Sequence, residues 1–177
     1  MIAIDTNILV AARRVESPHH AEAARWVRDL AEGGAPWAIP WPCVYEFLRV
    51  VTHPRIFRPP TPLDAALEDL ESLLASPSVH LLGEGPSHFA HLRAAVEGGR
   101  ASGNLAHDAH IAALCFEHGV GELWTADRDF ARFPGLRVRN PLVSAVHERA
   151  RGYAAGSRGR ANRRGDRAKA GRRGPRS

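Results

Sequence analysis

The chain has 177 residues, 44% of them apolar, enough for one ordinary domain with its own core and no need of a second. Its longest apolar stretches fall far short of the ~20 residues of a membrane span, and a strand-like segment rather than a charged leader stands at the start, so a cytoplasmic location is expected. The net charge of +5 divides into two opposite pieces: residues 1–150 hold 14 Arg and no Lys against 18 acids, whereas residues 151–177 hold 10 basic residues against Asp166 alone.

In chain order, 2–4 reads as a strand, 7–14 as a helix, and 17–32 as a longer helix with Ser17 as N-cap, Pro18 at its first position and Gly33-Gly34 at its end. A second strand is expected at 37–39, a helix at 44–53 closed before Pro54, and a helix at 63–75 begun by Thr61-Pro62. Then come a strand at 79–82, helices at 87–97 and 105–118, strands near 122–125 and 136–138, and a last helix from about Leu142. This alternation predicts an α/β fold, a parallel sheet with helices on both faces. Cys43 and Cys115 fall inside helix-like patterns and not at metal-ligand spacing, which predicts small buried thiols. From Ala154 to Ser177 there is no Val, Ile, Leu, Met, Phe, Trp or Tyr to set against the entropy of ordering. A folded domain of residues 1–149 is therefore expected to precede a disordered Arg/Gly-rich tail at 150–177. Such a tail suits either contact with a nucleic-acid backbone or solubility alone.

The residues that point to chemistry are Asp5, Glu46, Asp108, Asp127 and Asp129. Asp5 closes the strand Met-Ile-Ala-Ile, and Asp127 and Asp129 follow the apolar run Leu123-Trp124; in an open α/β sheet, ligands gather at the carboxyl ends of parallel strands. Asp108 has Ile111, Ala112 and Cys115 at i+3, i+4 and i+7, so it shares an apolar stripe, and Glu46 borders the buried face of its helix beside Cys43 and Val50. Each acid has an ordinary alternative. Asp5 can cap the next helix, Glu46 can pair with Arg49, Asp108 with a histidine, and Asp127-Arg128-Asp129 can form a turn. Several inward carboxylates together are costly unless protonated, paired or holding a cation, and hard oxygen ligands suit Mg2+ or Mn2+ better than zinc.

The segments Ile4-Asp5-Thr6-Asn7-Ile8-Leu9, Glu46-Phe47-Leu48-Arg49-Val50, His107-Asp108-Ala109-His110-Ile111-Ala112-Ala113 and Thr125-Ala126-Asp127-Arg128-Asp129-Phe130 resemble, in order, the motifs of the PIN-domain ribonucleases. Within that family the chain is similar to the VapC toxins of toxin–antitoxin pairs, over about residues 1 to 148. The resemblance implies a three-layer α/β/α sandwich with a central, mainly parallel sheet, and a Mg2+- or Mn2+-dependent endoribonuclease that leaves a 5′-phosphate and a 3′-hydroxyl. It also implies a homodimer and a VapB-type antitoxin whose carboxyl-terminal segment blocks the acidic cleft. Carried over by motif, Asp5, Glu46, Asp108 and Asp127 are the catalytic, metal-holding acids. Asp129, Thr6, Asn7 and Thr125 are expected in support, orienting the acids or a water, and Arg13, Arg14 and Arg128 are candidates for RNA contact. Arg49, Arg55, Arg58 and Arg132 complete a possible rim of cations, and Trp37 and Trp41 are candidates for an interface or for the core.

Two other readings compete. A haloacid-dehalogenase-like phosphatase also begins with a strand ending in Asp, but it expects a second Asp where Asn7 stands and a later lysine, and Lys169 in the tail is the only one. An RNA-binding module without catalysis gives no reason for inward carboxylates. Of the ten histidines, His107 and His110 flank Asp108 at i, i+3 spacing, where they could tune the cleft or touch RNA, while His19-His20 and His88 and His91 lie in other helices; a surface role is expected for most of the ten.

Overall fold

A computed structural model of the chain describes residues 1–143. The basic tail and nearly all of the helix expected from Leu142 lie outside the described residues. Met1–Leu142 forms one compact unit. Its elements are β1 (Ile2–Ile4), α1 (Thr6–Arg13), α2 (His20–Glu32), β2 (Trp37–Pro40), α3 (Trp41–Val51), α4 (Leu63–Leu74), β3 (Val79–Leu82), α5 (His88–Gly99), α6 (Leu105–Glu117), β4 (Glu122–Trp124), a 3-10 turn at Asp129–Arg132, and β5 (Val138–Arg139).

The strands form one sheet in the order β3-β2-β1-β4-β5, and every pairing is parallel. Parallel strands need crossover connections, and the helices that supply them cover both faces in three α/β/α layers. Burial on both faces explains why these strands are short apolar runs rather than alternating ones; all four residues of β2 are buried. The chain walks outward from β1 to β3, then returns to place β4 on the other side of β1. That reversal opens a crevice at the carboxyl ends of β1 and β4, the switch point where α/β sheets bind ligands. Ile4 and Trp124 are register partners, so Asp5 and Thr125 leave the sheet side by side.

Three boundaries differ from expectation for a clear local reason, the rest shifting by two residues at most. Ser17 does not cap α2: its hydroxyl accepts from His19 N–H and its carbonyl from His20 N–H, so Ser17-Pro18 builds a turn and the helix starts at His20. The helix of Glu46 starts at Trp41 rather than residue 44, because Pro42 lies in the first turn, where no N–H is needed. The last strand sits at Val138–Arg139, after Phe133-Pro134-Gly135, with Gly135 at φ +89°. Cys43 and Cys115 are buried free thiols, and burial pushes Cys115 up to about 12.

The core runs from the sheet into α6, whose residues 111–115 are all buried. Trp37 belongs to this core at 0% exposure, whereas Trp41 is exposed and stacks on the exposed Tyr45 with ring centroids 5.6 Å apart. Only Trp41 of the two tryptophans is therefore available to an interface. At the end of α5, a Cβ on Gly99 would stand 2.6 Å from Phe133 Cε1, and Phe133 is itself buried. Gly99→Ala should destabilise the protein, since overpacking costs about 1–3 kcal/mol against a helix-propensity gain of about 1 kcal/mol. Urea unfolding measures this, and an unchanged midpoint would show that the Phe133 ring gives way.

Candidate active site

Asp5 is held from three elements. It caps α1, with Oδ1 accepting from Thr6 N–H at 2.7 Å. Oδ2 accepts from Asn7 Nδ2 at 2.6 Å and from Thr125 Oγ1 at 2.7 Å, and the Cys43 thiol of α3 points at Oδ1 from 3.6 Å. Asn7 also donates to Thr125 Oγ1 and accepts from Ala126 N–H, which ties the loop after β1 to the loop after β4. Four donors thus approach the roughly four lone-pair directions of the carboxylate, the thiol the weakest and most distant of them, so a cation at Asp5 would take the place of the Cys43 contact. Burial pushes its pKa up, against the bonds from Thr125, Thr6 and Cys43.

Glu46 and Asp127 are fixed more loosely. Glu46 Oε2 accepts from Thr6 Oγ1 at 3.1 Å, while Oε1 pairs with Arg49 Nη2 at 3.0 Å. Asp127 N–H donates to Thr125 Oγ1, and its Oδ1 accepts from Asp129 N–H at 2.8 Å, which makes the turn of Asp127-Arg128-Asp129. Asp129 in turn meets Arg132 Nε at 3.3 Å.

Asp108 differs from all of these. It stands in the first turn of α6, half-buried, with no hydrogen bond or ion pair among the described residues. Burial, and then the charges of Asp127, Asp5, Asp129 and Glu46, raise its pKa from 3.8 to about 6. Those four repelling groups are the other four acids, so all five converge. They line one cleft of about 1520 Å³, together with Thr6 and Asn7. Arg49 and Arg132 neutralise Glu46 and Asp129, leaving Asp5, Asp108 and Asp127 without a cation. Three such carboxylates around an open cleft fit a hard divalent ion.

The arginines expected on RNA divide. Arg14 is 8% exposed, and its guanidinium donates to Thr61 Oγ1 and Pro59 O, pairs with Glu16 and covers the Phe57 ring. It fastens α1 to the 59–61 segment, so its guanidinium is already engaged within the domain. Arg13 is likewise engaged, by Asp69 of α4. Arg128, Arg55 and Arg58 are exposed and have no ion pair among the described residues. One cluster escaped the sequence reading altogether: Glu84, His88 and His110 bring ligand atoms within 4.8 Å of one another, a set able to hold a divalent ion. His88 is buried, unlike the surface placement expected of most histidines, and burial followed by the nearby His88 lowers the pKa of His110. The i, i+4 spacing of Glu84 and His88 was the only sequence signal, and nothing in it points to His110.

The family profile described as PIN domain matches residues 2–136. The chain belongs to the PIN-domain family. Its relatives place it among the VapC ribonucleases. It is 35% identical over 138 residues to Ribonuclease VapC48 of Mycobacterium tuberculosis (strain CDC 1551 / Oshkosh), covering 78% of this chain and 95% of that one. It is 37% identical over 147 residues to Ribonuclease VapC43 of the same strain, covering 83% and 99%. Among solved structures, VapBC2 from Rickettsia felis bound to a promoter DNA fragment matches with TM-score 0.56 at 21% identity, over 79% of this chain and 98% of that chain. Mycobacterium tuberculosis VapC20, a sarcin-ricin loop cleaving toxin, matches with TM-score 0.53 at 17% identity, over 77% and 99%. The PIN fold is thus established both from sequence and from shape.

In this PIN domain the raised pKa values of Asp108 and Asp5 carry a sign that can be checked. Between the ordinary carboxylate value of 3.8 and about 6, the folded chain binds more protons than the unfolded one, so stability falls as pH rises through that window. Discounted for the partial exposure of Asp108, the loss is on the order of 1–2 kcal/mol. Urea unfolding of metal-free protein at pH 5 and pH 7.5 should show it, Asp108→Asn should remove most of it, and Mg2+ should offset it only at the higher pH. Wild-type stability that climbs from pH 5 to 7.5 would contradict the assignment.

Proposed function

We propose that this VapC-family chain is a metal-dependent endoribonuclease, the toxin of a toxin–antitoxin pair, with Asp5, Glu46, Asp108 and Asp127 as its catalytic acids. The observation that carries this reading is Asp108: a half-buried carboxylate pressed by four others, with no bond that would give it a structural purpose. Asp5 caps a helix, Glu46 pairs with Arg49 and Asp127 closes a turn, but Asp108 does none of these.

Asp108 and Asp5 would hold the principal Mg2+ or Mn2+ ion, Asp108 with its full set of lone pairs and Asp5 in place of its weak Cys43 contact. Asp127 and Glu46 would complete the shell directly or through water. When bound, the ion screens the phosphodiester and lowers the pKa of water, the two obstacles to hydrolysis of an anionic ester. The chain's own part is positioning. Thr125 and Asn7 fix the plane of the Asp5 carboxylate, and Thr6 joins Asp5 to Glu46 through its N–H and hydroxyl. Asp129 supports the site from outside, through its N–H on Asp127. Asn7 also weakens the phosphatase alternative, because its amide serves Asp5, Thr125 and Ala126 at the place where a second acid would have to act.

RNA would approach an acidic cleft, so cations must come from elsewhere. Of the arginines expected at its rim, Arg55, Arg58 and Arg128 are the uncommitted ones. The basic tail is proposed to add to them. The solved relatives captured as VapBC and FitAB assemblies support an antitoxin partner for this chain, here proposed to be VapB-type and to block the cleft. A homodimer is proposed on the same family grounds, with the exposed Trp41–Tyr45 stack as a surface open to either partner.

Purified chain, free of antitoxin, should cut total bacterial RNA at discrete sites with Mg2+ or Mn2+, and a chelator should stop it. Asp5→Asn and Asp108→Asn should each lose more than roughly 100-fold, and Thr125→Val roughly 10–100-fold as a support of the shell. Product ends should be 5′-phosphate and 3′-hydroxyl; a 2′,3′-cyclic phosphate would mean attack by the ribose and sink the mechanism. For the domain without residues 151–177, three arginine–phosphate contacts give a log–log salt slope of about −2 at ~0.7 per contact. A steeper slope would return Arg13 or other paired arginines to the RNA surface.

A further inference from the structure

At the edge of the cleft, a second group of ligating side chains is built from different chemistry. Glu84 follows β3, His88 opens α5 and His110 lies in α6, with one oxygen and two imidazole nitrogens within 4.8 Å of one another. His88 is 8% exposed, and its Nε2 is buried with no hydrogen-bond partner. His110 Nε2 is also buried; Glu84 Oε1 lies 3.2 Å away, within ion-pair reach but outside hydrogen-bonding geometry. The two rings meet edge-on with centroids 5.0 Å apart. Buried polar atoms are nearly always satisfied, and the His88 nitrogen left without a partner, close to a His110 nitrogen that has only the Glu84 carboxylate within reach, calls for a ligand.

The far side of His88 is prepared for one. Its Nδ1 lies 3.2 Å from Glu117 Oε2, and Glu117 accepts as well from Gly85 N–H, Ser87 N–H and Ser87 Oγ. Burial works against the Glu117 charge, but these bonds prevail and hold its carboxyl below the usual range. An ionised carboxylate only accepts, so the His88 proton belongs on Nδ1 and the Nε2 lone pair faces the cluster, the relay by which proteins orient metal-binding histidines. Gly85 makes this approach possible, since a Cβ there would stand 2.6 Å from Glu117 Oε1.

We propose that Glu84, His88 and His110 form a zinc site distinct from the carboxylate site of the nuclease. Two imidazoles and one carboxylate are a zinc donor set, whereas Mg2+ prefers oxygen and gives up its waters reluctantly, so the two sites select different ions. Ligand bonds of about 2.0–2.1 Å require the three atoms to draw together, and the Glu84 side chain, 65% exposed, is free to make that movement. Glu84 and His110 line the cleft, so the fourth position opens toward it. Asp108 and His110 stand at i, i+2 on α6 and do not face each other, and the charges that act most on Asp108 are those of the other four acids rather than Glu84. Zinc bound here ties the β3–α5 connection and α5 to the helix that carries Asp108.

The test is calorimetric titration of Zn2+ into the full-length chain, stripped beforehand with a chelator. Wild type and Asp5→Asn should each bind one equivalent tightly, so failure of the nuclease reading would leave this result untouched. Glu84→Ala and His110→Ala should each weaken binding more than about tenfold, and Glu117→Gln, which touches no ion, by roughly 10–100-fold. Thermal unfolding of the metal-free variants checks that they are folded, and Zn2+ should raise the melting temperature of wild type but not of Glu84→Ala. No zinc uptake by wild type, uptake unchanged in Glu84→Ala and His110→Ala, or uptake lost in Asp5→Asn alone would each overturn the proposal.

Discussion

Repulsion among carboxylates that no arginine relieves is the constraint around which this domain is arranged. Asp108 feels four other acids and answers none of them with a hydrogen bond. The fold tolerates this because its neighbours are stiff. β1 and β4 lie in register, so Asp5 and Thr125 are set by the sheet, and α6 is anchored by the unbroken buried stretch 111–115, which begins three residues after Asp108. A looser scaffold would relax by turning one acid outward. Here only Asp127 and Asp129, on the loop after β4, are exposed enough to do so.

The same economy appears among the arginines. The domain has no lysine, and it uses its arginines first for itself: Arg14 inside the α1 end, Arg13 on Asp69, Arg49 on Glu46 and Arg132 on Asp129. Guanidinium suits this work, since its fixed fork can serve a hydroxyl, a carbonyl and a carboxylate at once, as Arg14 does. Little positive charge is left over to face a polyanion, which places more of the burden of attraction on bound cations.

Much of this was legible in the sequence. The strands were readable because burial on both faces leaves short runs of apolar residues, and the acids at their ends stood out against that background. Asp108 was found by helical spacing alone, and the structure puts it where that spacing said. What was not legible depended on long-range contact. Nothing near Arg14 announces Thr61 and Pro59, 45 or more residues away, as its partners. His88 sits at a helix start between Ser87 and Phe89, a pattern that looks solvent-facing, and only the packing of α5 on α6 brings Glu117 and His110 to it. Helix starts were misplaced where proline has two local uses, as a turn residue at Pro18 and a first-turn residue at Pro42. The ordinary explanations offered for Asp5, Glu46 and Asp127 also turn out to hold together with their place in the cleft, since the same bonds that satisfy them hold them still.

The Thr125 hydroxyl gives the site a direction. Its oxygen receives Asn7 Nδ2 and Asp127 N–H, which fills both of its lone pairs, so its single hydrogen has one destination, Asp5 Oδ2. Asn7 cannot reverse this, because its own oxygen is engaged by the N–H of Ala126, a group that can only donate. The circuit is therefore closed only when Asp5 Oδ2 is bare of a proton. Burial urges that carboxyl to take one up, and the hydroxyl aimed at Oδ2 opposes it there, so a backbone amide two residues along the chain sets which oxygen such a proton must avoid.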